Sequence, residues 1–261
     1  MPNDTPVQLL WTSGWDSTFQ LLRLLLEHRV PVQPTYALDT TRPSAPVEIA
    51  AMDRIRAALA QAHPHTAELL HPTRYVRVEE LAPDPGIDAA FDRILRKHRI
   101  GDQYAWLARF CDQRGLPDVE LSIEKTAHAR EAIQDEVVAT QSPHGYPTHR
   151  VAPDCRDADI VRVFGRFSFP VFDLTKQDMA GIIERNGWGE YMRMTWFCHR
   201  PGKDGQPCGI CNPCVYLIEH GMGWRIPRRR RVLSAVYRYT LAPMRSRARQ
   251  WLRRFRPVRA T

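Results

Sequence analysis

Read from the N-terminus, the chain alternates short apolar runs with longer amphipathic ones. "VQLLWT" (7–12) has the length of a buried strand. "STFQLLRLLLEHR" (17–29) follows it, with Phe19, Leu22, Leu26 and Leu21, Leu25 recurring at helical spacing. The alternation continues through strand "VQPTYAL" (32–38), helix "PVEIAAMDRIRAALAQA" (46–62) and strand "RYVRVEE" (74–80). Helix "DQYAWLARFCDQRG" (102–115) closes on a glycine and precedes strand "DVELSI" (118–123). "EKTAHAREAIQDEVV" reads as polar and helix-prone, and "TQSPHGYPTHRVAPDCRD", around 140–158, as a long Pro- and His-rich loop. "FSFPVFDL" (167–174) is a last extended run, and "TKQDMAGIIERNG" (175–187) a helix with Thr175 as its N-cap.

Strands alternating with helices predict the α/β class, a parallel sheet with helices on both faces. A length of 261 residues holds one such domain plus an appendage, and 43% hydrophobic residues support a sizeable core. No apolar run approaches the roughly 20 residues that span a bilayer. The N-terminus lacks a charged-then-apolar leader pattern, so a cytoplasmic protein is expected.

The net charge of +8 is unevenly placed. Thirteen arginines, no lysine and no acid lie from Arg225 to Thr261, which leaves the remainder with an excess of five acids. A mildly acidic body therefore carries a very basic tail. Within it, Met244, Ala248, Trp251, Leu252 and Phe255 fall on one helical face, and arginines 245, 247, 249, 253, 254 and 256 cover the rest. Three partners suit such a tail: an acidic surface of the body or of another protein, anionic lipid, or a nucleic-acid backbone.

Between the first strand and first helix lies "TSGWDS", residues 12–17. The ligand crevice of an open α/β sheet is expected there, at the carboxyl ends of its strands. Gly14 permits a sharp turn, exposed amides at a helix start suit an anion, and Ser13, Ser17 and Thr18 offer hydroxyls. Asp16 suits Mg²⁺ carried on a phosphate. The plain alternative is a capped helix start, with Thr12 or Ser13 as N-cap and Asp16 favourable in the first turn.

Of six cysteines, Cys111 and Cys155 are isolated and read as small buried hydrophobes. The other four follow Cys198-x9-Cys208-x2-Cys211-x2-Cys214, with Gly205, Pro207, Gly209 and Pro213 supplying turns. Four thiolates close a tetrahedral zinc site. An iron–sulfur cluster is the rival, since spacing alone does not separate the two.

The hexapeptide resembles the Ser-Gly-Gly-x-Asp-Ser loop of the N-type ATP pyrophosphatases: Gly14, Asp16 and Ser17 match, while Thr12 and Ser13 stand where the pattern has Ser and Gly. With "DLTKQDM", then Thr195-x-x-Cys198, then Cys208-Gly-x-Cys211-x-x-Cys214, the order of motifs is similar to the 7-cyano-7-deazaguanine synthase family of queuosine biosynthesis. "LDTTRPSAPVE" departs from that family, keeping Asp39 and Glu48, and Asp154-Cys155-Arg156 stands for its Asp-Cys-Arg segment. The resemblance implies an adenine nucleotide alpha hydrolase-like fold over 1–190, a four-cysteine zinc segment at 191–224 and an appended tail at 225–261. It implies ATP and Mg²⁺ held by Thr12, Ser13, Gly14, Trp15, Asp16, Ser17 and Thr18, with Leu38, Asp39 and Lys125 also at the nucleotide. Catalytic roles fall to Asp16, Ser17 and Lys176, the reaction being adenylation of a small-molecule carboxylate, release of pyrophosphate, and amide or nitrile formation from ammonia or another nitrogen donor. A homodimer is compatible with this reading. Bland alternatives are a solvated first-turn lysine for Lys176 and for Lys125, and a turn cap for Asp39. A tRNA-modifying adenylating enzyme and a non-catalytic nucleotide-binding component of a larger assembly also fit the altered loop.

Overall fold

The computed structural model describes residues 4–239. The chain divides into two compact units: the residues up to Thr41 with Ala45–Trp196, and Arg42–Ser44 with the residues from Phe197 onward. The 244–256 stripe lies outside the described residues. Among those described, no helix is long and apolar enough to cross a membrane.

In chain order the first unit contains β1 (Val7–Leu10), α1 (Trp15–Leu22), a π-helical turn (Arg23–His28), β2 (Val32–Leu38), α2 (Ala45–Ala62), α3 (Thr66–Leu69) and β3 (Arg74–Arg77). Then come α4 (Pro85–Lys97), α5 (Gln103–Gln113), β4 (Val119–Glu120), α6 (His128–Ile133), β5 (Val137–Gln141) and β6 (Pro147–Val151). α7 (Ala158–Phe164), β7 (Phe167–Ser168), α8 (Lys176–Arg185) and α9 (Gly189–Met194) complete it. The second unit holds α10 (Asn212–Glu219), a 3-10 turn (Gly223–Arg225) and α11 (228–239).

The seven strands form one sheet in the order β3-β2-β1-β4-β7-β6-β5. β3, β2, β1, β4 and β7 are parallel, and the β5–β6 hairpin adds an antiparallel edge. The α/β expectation therefore holds. Strand period explains the two-sided core: Leu9 joins Trp11, Phe19, Val32 and Met52 on one face, while Leu10 joins Phe91, Phe110, Val119 and Phe167 on the other. The chain leaves β1 toward β2 and β3, then returns to β4 on β1's other side. That reversal places a crevice at the carboxyl ends of β1 and β4.

Several local readings need correction. The first helix begins at Trp15 rather than 17 and passes into a π-turn at Arg23, which lets both Leu24 and Leu25 reach full burial. The segment near 140–158 is no long loop. Val137, Val138, Thr140, Thr148 and Val151 favour strand, Pro147 and His149 pair within β6, and only 142–146 form the turn. There Ser142 Oγ accepts from the amides of His144 and Tyr146, and Gly145 takes φ +82°. "EKTAHAREAIQDEVV" is helical only over His128–Ile133, and "FSFPVFDL" pairs only through Phe167–Ser168. Asp154–Arg156 leads into α7: the Cys155 thiol donates to Glu136 at 3.0 Å, and Asp157 caps the helix.

The hairpin tip is fastened over a buried carboxylate. Glu120 of β4 accepts from Tyr146 Oη and from Gln20 Nε2 (2.9 Å), and the His28 ring stacks on Tyr146 with centroids 4.6 Å apart. Burial lifts the Glu120 carboxyl from its ordinary 4.5 to about 7, with the Tyr146 and Gln20 bonds and distant Arg23 pulling back and Asp118 adding to the rise. The unfolded chain therefore loses this proton first, and stability falls as pH rises from about 4.5 to about 7. The loss is on the order of 3 kcal/mol. Glu120→Gln, which keeps an acceptor for Tyr146, is expected to flatten that slope and to raise the melting temperature above pH 7, with little change near pH 4.5. Thermal melts across this range check it; identical profiles for both proteins would refute the assignment.

Candidate functional site

The turn joining β1 to α1 is built by an unusual residue. Ser13 takes φ +54°, in the left-handed region, with its side chain fully buried. A non-glycine residue there costs roughly 1–2 kcal/mol. Its Oγ finds no hydrogen-bond partner among the described residues, although a buried hydroxyl normally has one. The Ser13 carbonyl accepts from the Trp196 amide at 2.9 Å, which ties the turn to the last residue of this unit.

α1 starts with Gly14 as N-cap, in extended backbone, and no side chain caps it. The alternative of Thr12 or Ser13 as a capping residue is therefore not what this turn does. Thr12 and Ser17 close the turn on each other, with Ser17 Oγ 3.4 Å from the Thr12 amide and 3.5 Å from Thr12 Oγ1. Thr18 Oγ1 accepts from the buried Trp11 indole at 3.0 Å, so its hydroxyl is engaged in holding α1 to β1. Trp15 packs at the rim of the core.

Asp16 points across the crevice. Lys176, first residue of α8 and 160 positions away, donates to Asp16 Oδ1 at 2.6 Å. Its side chain is only 17% exposed, so it is not a solvated first-turn lysine. α8 is placed by a capping box between Thr175 and Asp178. Burial raises the Asp16 carboxyl above its ordinary range; Lys176 opposes this, and Glu124 adds a smaller upward push. Glu124 lies just beyond β4, is itself buried, and accepts from the Thr126 amide and hydroxyl. The crevice thus gathers groups from the ends of β1, β4 and β7. Sequence reasoning missed Glu124, for which a strand-end position is the only signal.

The remaining nucleotide candidates lie less centrally. Lys125 is exposed, and its amide donates to the Leu174 carbonyl, joining the β4 exit to the approach to α8. Leu38 ends β2 and packs against the core. Asp39 caps the following turn, its Oδ1 accepting from the Thr41 amide and hydroxyl. Glu48 is buried in α2 and accepts from Tyr36 Oη at 2.9 Å.

In the second unit Cys198, Cys208, Cys211 and Cys214 converge, all four Sγ atoms lying within 4.8 Å of one another. The Cys208–Cys214 and Cys198–Cys211 sulfurs are 3.9 and 3.8 Å apart. Four thiolates about 2.3 Å from a common centre at tetrahedral angles would stand about 3.8 Å apart, whereas a disulfide needs about 2.05 Å. The group could therefore hold one metal ion. Backbone amides of Cys208, Ile210 and Cys211 already point at the Cys198 and Cys208 sulfurs, as suits thiolates. Gly209 makes the bend at φ +81°, where a Cβ would lie 2.6 Å from the Arg230 carbonyl oxygen. Asp204 pairs with Arg229 and Arg230, fastening the loop between the first two cysteines to α11.

Compared with known proteins, the sequence matches no family model and no curated protein. Function therefore rests on the chemistry of the two sites.

Proposed function

We propose that the chain is an ATP pyrophosphatase of the PP-loop type that adenylates a carboxylate, releasing pyrophosphate, on the way to carbon–nitrogen bond formation in the manner of 7-cyano-7-deazaguanine synthases. The observation that carries the reading is the Asp16–Lys176 contact at the sheet's reversal point. Two residues singled out separately from the sequence meet there, beside an uncapped helix start and a buried serine hydroxyl with no hydrogen-bond partner among the described residues.

In this reading the turn from Ser13 to Ser17 receives the phosphates. Its amides and the Ser13 and Ser17 hydroxyls donate hydrogen bonds. Asp16 would hold Mg²⁺, which supplies charge neutralisation on the phosphate oxygens. Lys176 exchanges its bond to Asp16 for one to phosphate, and its ammonium offsets negative charge growing on the leaving group. The closed shell of four thiolates suits a structural zinc ion better than a catalytic one. The short sulfur–sulfur distances favour a single ion over a polynuclear iron–sulfur cluster.

Product analysis tests the reading. The full chain with ATP, Mg²⁺ and a deazaguanine carboxylic acid, with and without tRNA, is expected to yield AMP and pyrophosphate. ADP and phosphate would refute it. Turnover only with tRNA would move the acceptor to RNA, and nucleotide binding without turnover would favour a non-catalytic component.

A further inference from the structure

Helix α11 is arranged inversely to an ordinary surface helix. Val232, Val236 and Tyr239, spaced i, i+4, i+7, form one stripe and are 60%, 54% and 83% exposed, with Leu233 beside them at 47%. The side turned inward carries Ser234, 1% exposed, and partly buried Arg230 and Tyr237. Arg228, Arg229 and Arg231 are exposed and flank the stripe on the helical wheel. Trp224, in the 3-10 turn ahead of the helix, is 59% exposed. No acidic residue occurs from Arg225 to the end, and beyond Tyr239 the sequence adds seven more arginines and the apolar set from Met244 to Phe255.

We propose that α11 docks on an anionic membrane surface, its Val232–Val236–Tyr239 stripe entering the headgroup–acyl boundary and its arginines meeting lipid phosphates. A bilayer interface supplies together the two things this face displays, apolar depth and negative charge. Tryptophan and tyrosine are the side chains that settle at that boundary, and Trp224 and Tyr239 stand at the two ends of the segment. A nucleic-acid backbone would engage the arginines and could stack on the aromatics, but has no use for exposed Val232, Leu233 and Val236. A second copy of the chain would set arginine against arginine along the same face.

Vesicle co-sedimentation of the full chain tests this. Binding is expected to vesicles of equal parts phosphatidylcholine and phosphatidylglycerol, and not to phosphatidylcholine alone. Val232→Glu with Val236→Glu is expected to weaken binding at least about tenfold, because each change puts a carboxylate where the proposal buries an exposed valine in the apolar boundary. Both positions are exposed and glutamate is a good helix former, so melting temperature and metal content should stay unchanged. Arg228→Gln with Arg231→Gln is expected to weaken binding chiefly at low salt. Failure to sediment with either vesicle overturns the proposal. So does vesicle binding that the glutamate pair leaves intact, or tight, salt-steep nucleic-acid binding by a chain that ignores lipid.

Discussion

Cys211→Ser is expected to release the metal and unfold the unit that begins at Phe197. That unit has a small core of its own, and three of its buried side chains are the cysteines 198, 208 and 214 themselves. On the proposed site, losing one thiolate leaves the shell incomplete: the Cys198–Cys211 pair is gone, and Cys208 and Cys214, 3.9 Å apart, lose the ion they would share. Apparent binding energies for structural zinc run to about 10–16 kcal/mol, and binding of this kind is folding energy. The variant should contain under about a tenth of an equivalent of metal. Trypsin should cut rapidly at Lys203 and Arg225, and a chelator should produce the same cuts in the unmodified chain. Cys155→Ser is the control, since that thiol contacts Glu136 and lies outside the four-cysteine group found among the described residues. A Cys211→Ser protein with a full equivalent of metal and an unchanged melt would refute the tetrathiolate site.

The second large effect concerns Asp16 and Lys176. On the proposed reading, Asp16→Asn and Lys176→Gln each lower pyrophosphate release by about 10²- to 10³-fold, the scale seen when one electrostatic stabiliser is removed. Each substitution also leaves the other member of a largely buried pair unpaired, so some stability is lost as well. Asp16 carries a carboxyl already disfavoured by burial, so replacing it removes a desolvation cost together with the ion pair. Turnover assays beside thermal melts separate the two effects. Undiminished turnover in both variants would remove these residues from the machinery.

Elements whose signals are local were legible in the sequence. α2 and α5 follow from apolar period, and α8 from Thr175 as its N-cap, which the structure completes into a capping box with Asp178. α4 carries equally local signals, Asp84 as cap, Pro85 in the first turn and Ile87, Phe91, Ile94 on one face. The hairpin was hidden for a physical reason. β5 is an edge strand with four of five residues exposed, so no alternation of apolar and polar positions marks it. The candidate site was half legible. The turn after β1 announced itself, but its partner Lys176 lies 160 residues away, a distance only the fold closes. The four cysteines needed no fold, because thiolate spacing is itself the signal.

Ser13 has a consequence for how such turns are found. What the crevice requires there is a backbone angle, and the chain supplies it with a strained serine instead of a glycine. Glycine would adopt φ +54° freely, and asparagine or aspartate at modest cost. A pattern written in residue letters treats these four as different. A pattern written in dihedral angles, a left-handed residue between a parallel strand and an uncapped helix, treats them as one and would gather sequences that share the turn without sharing its glycine.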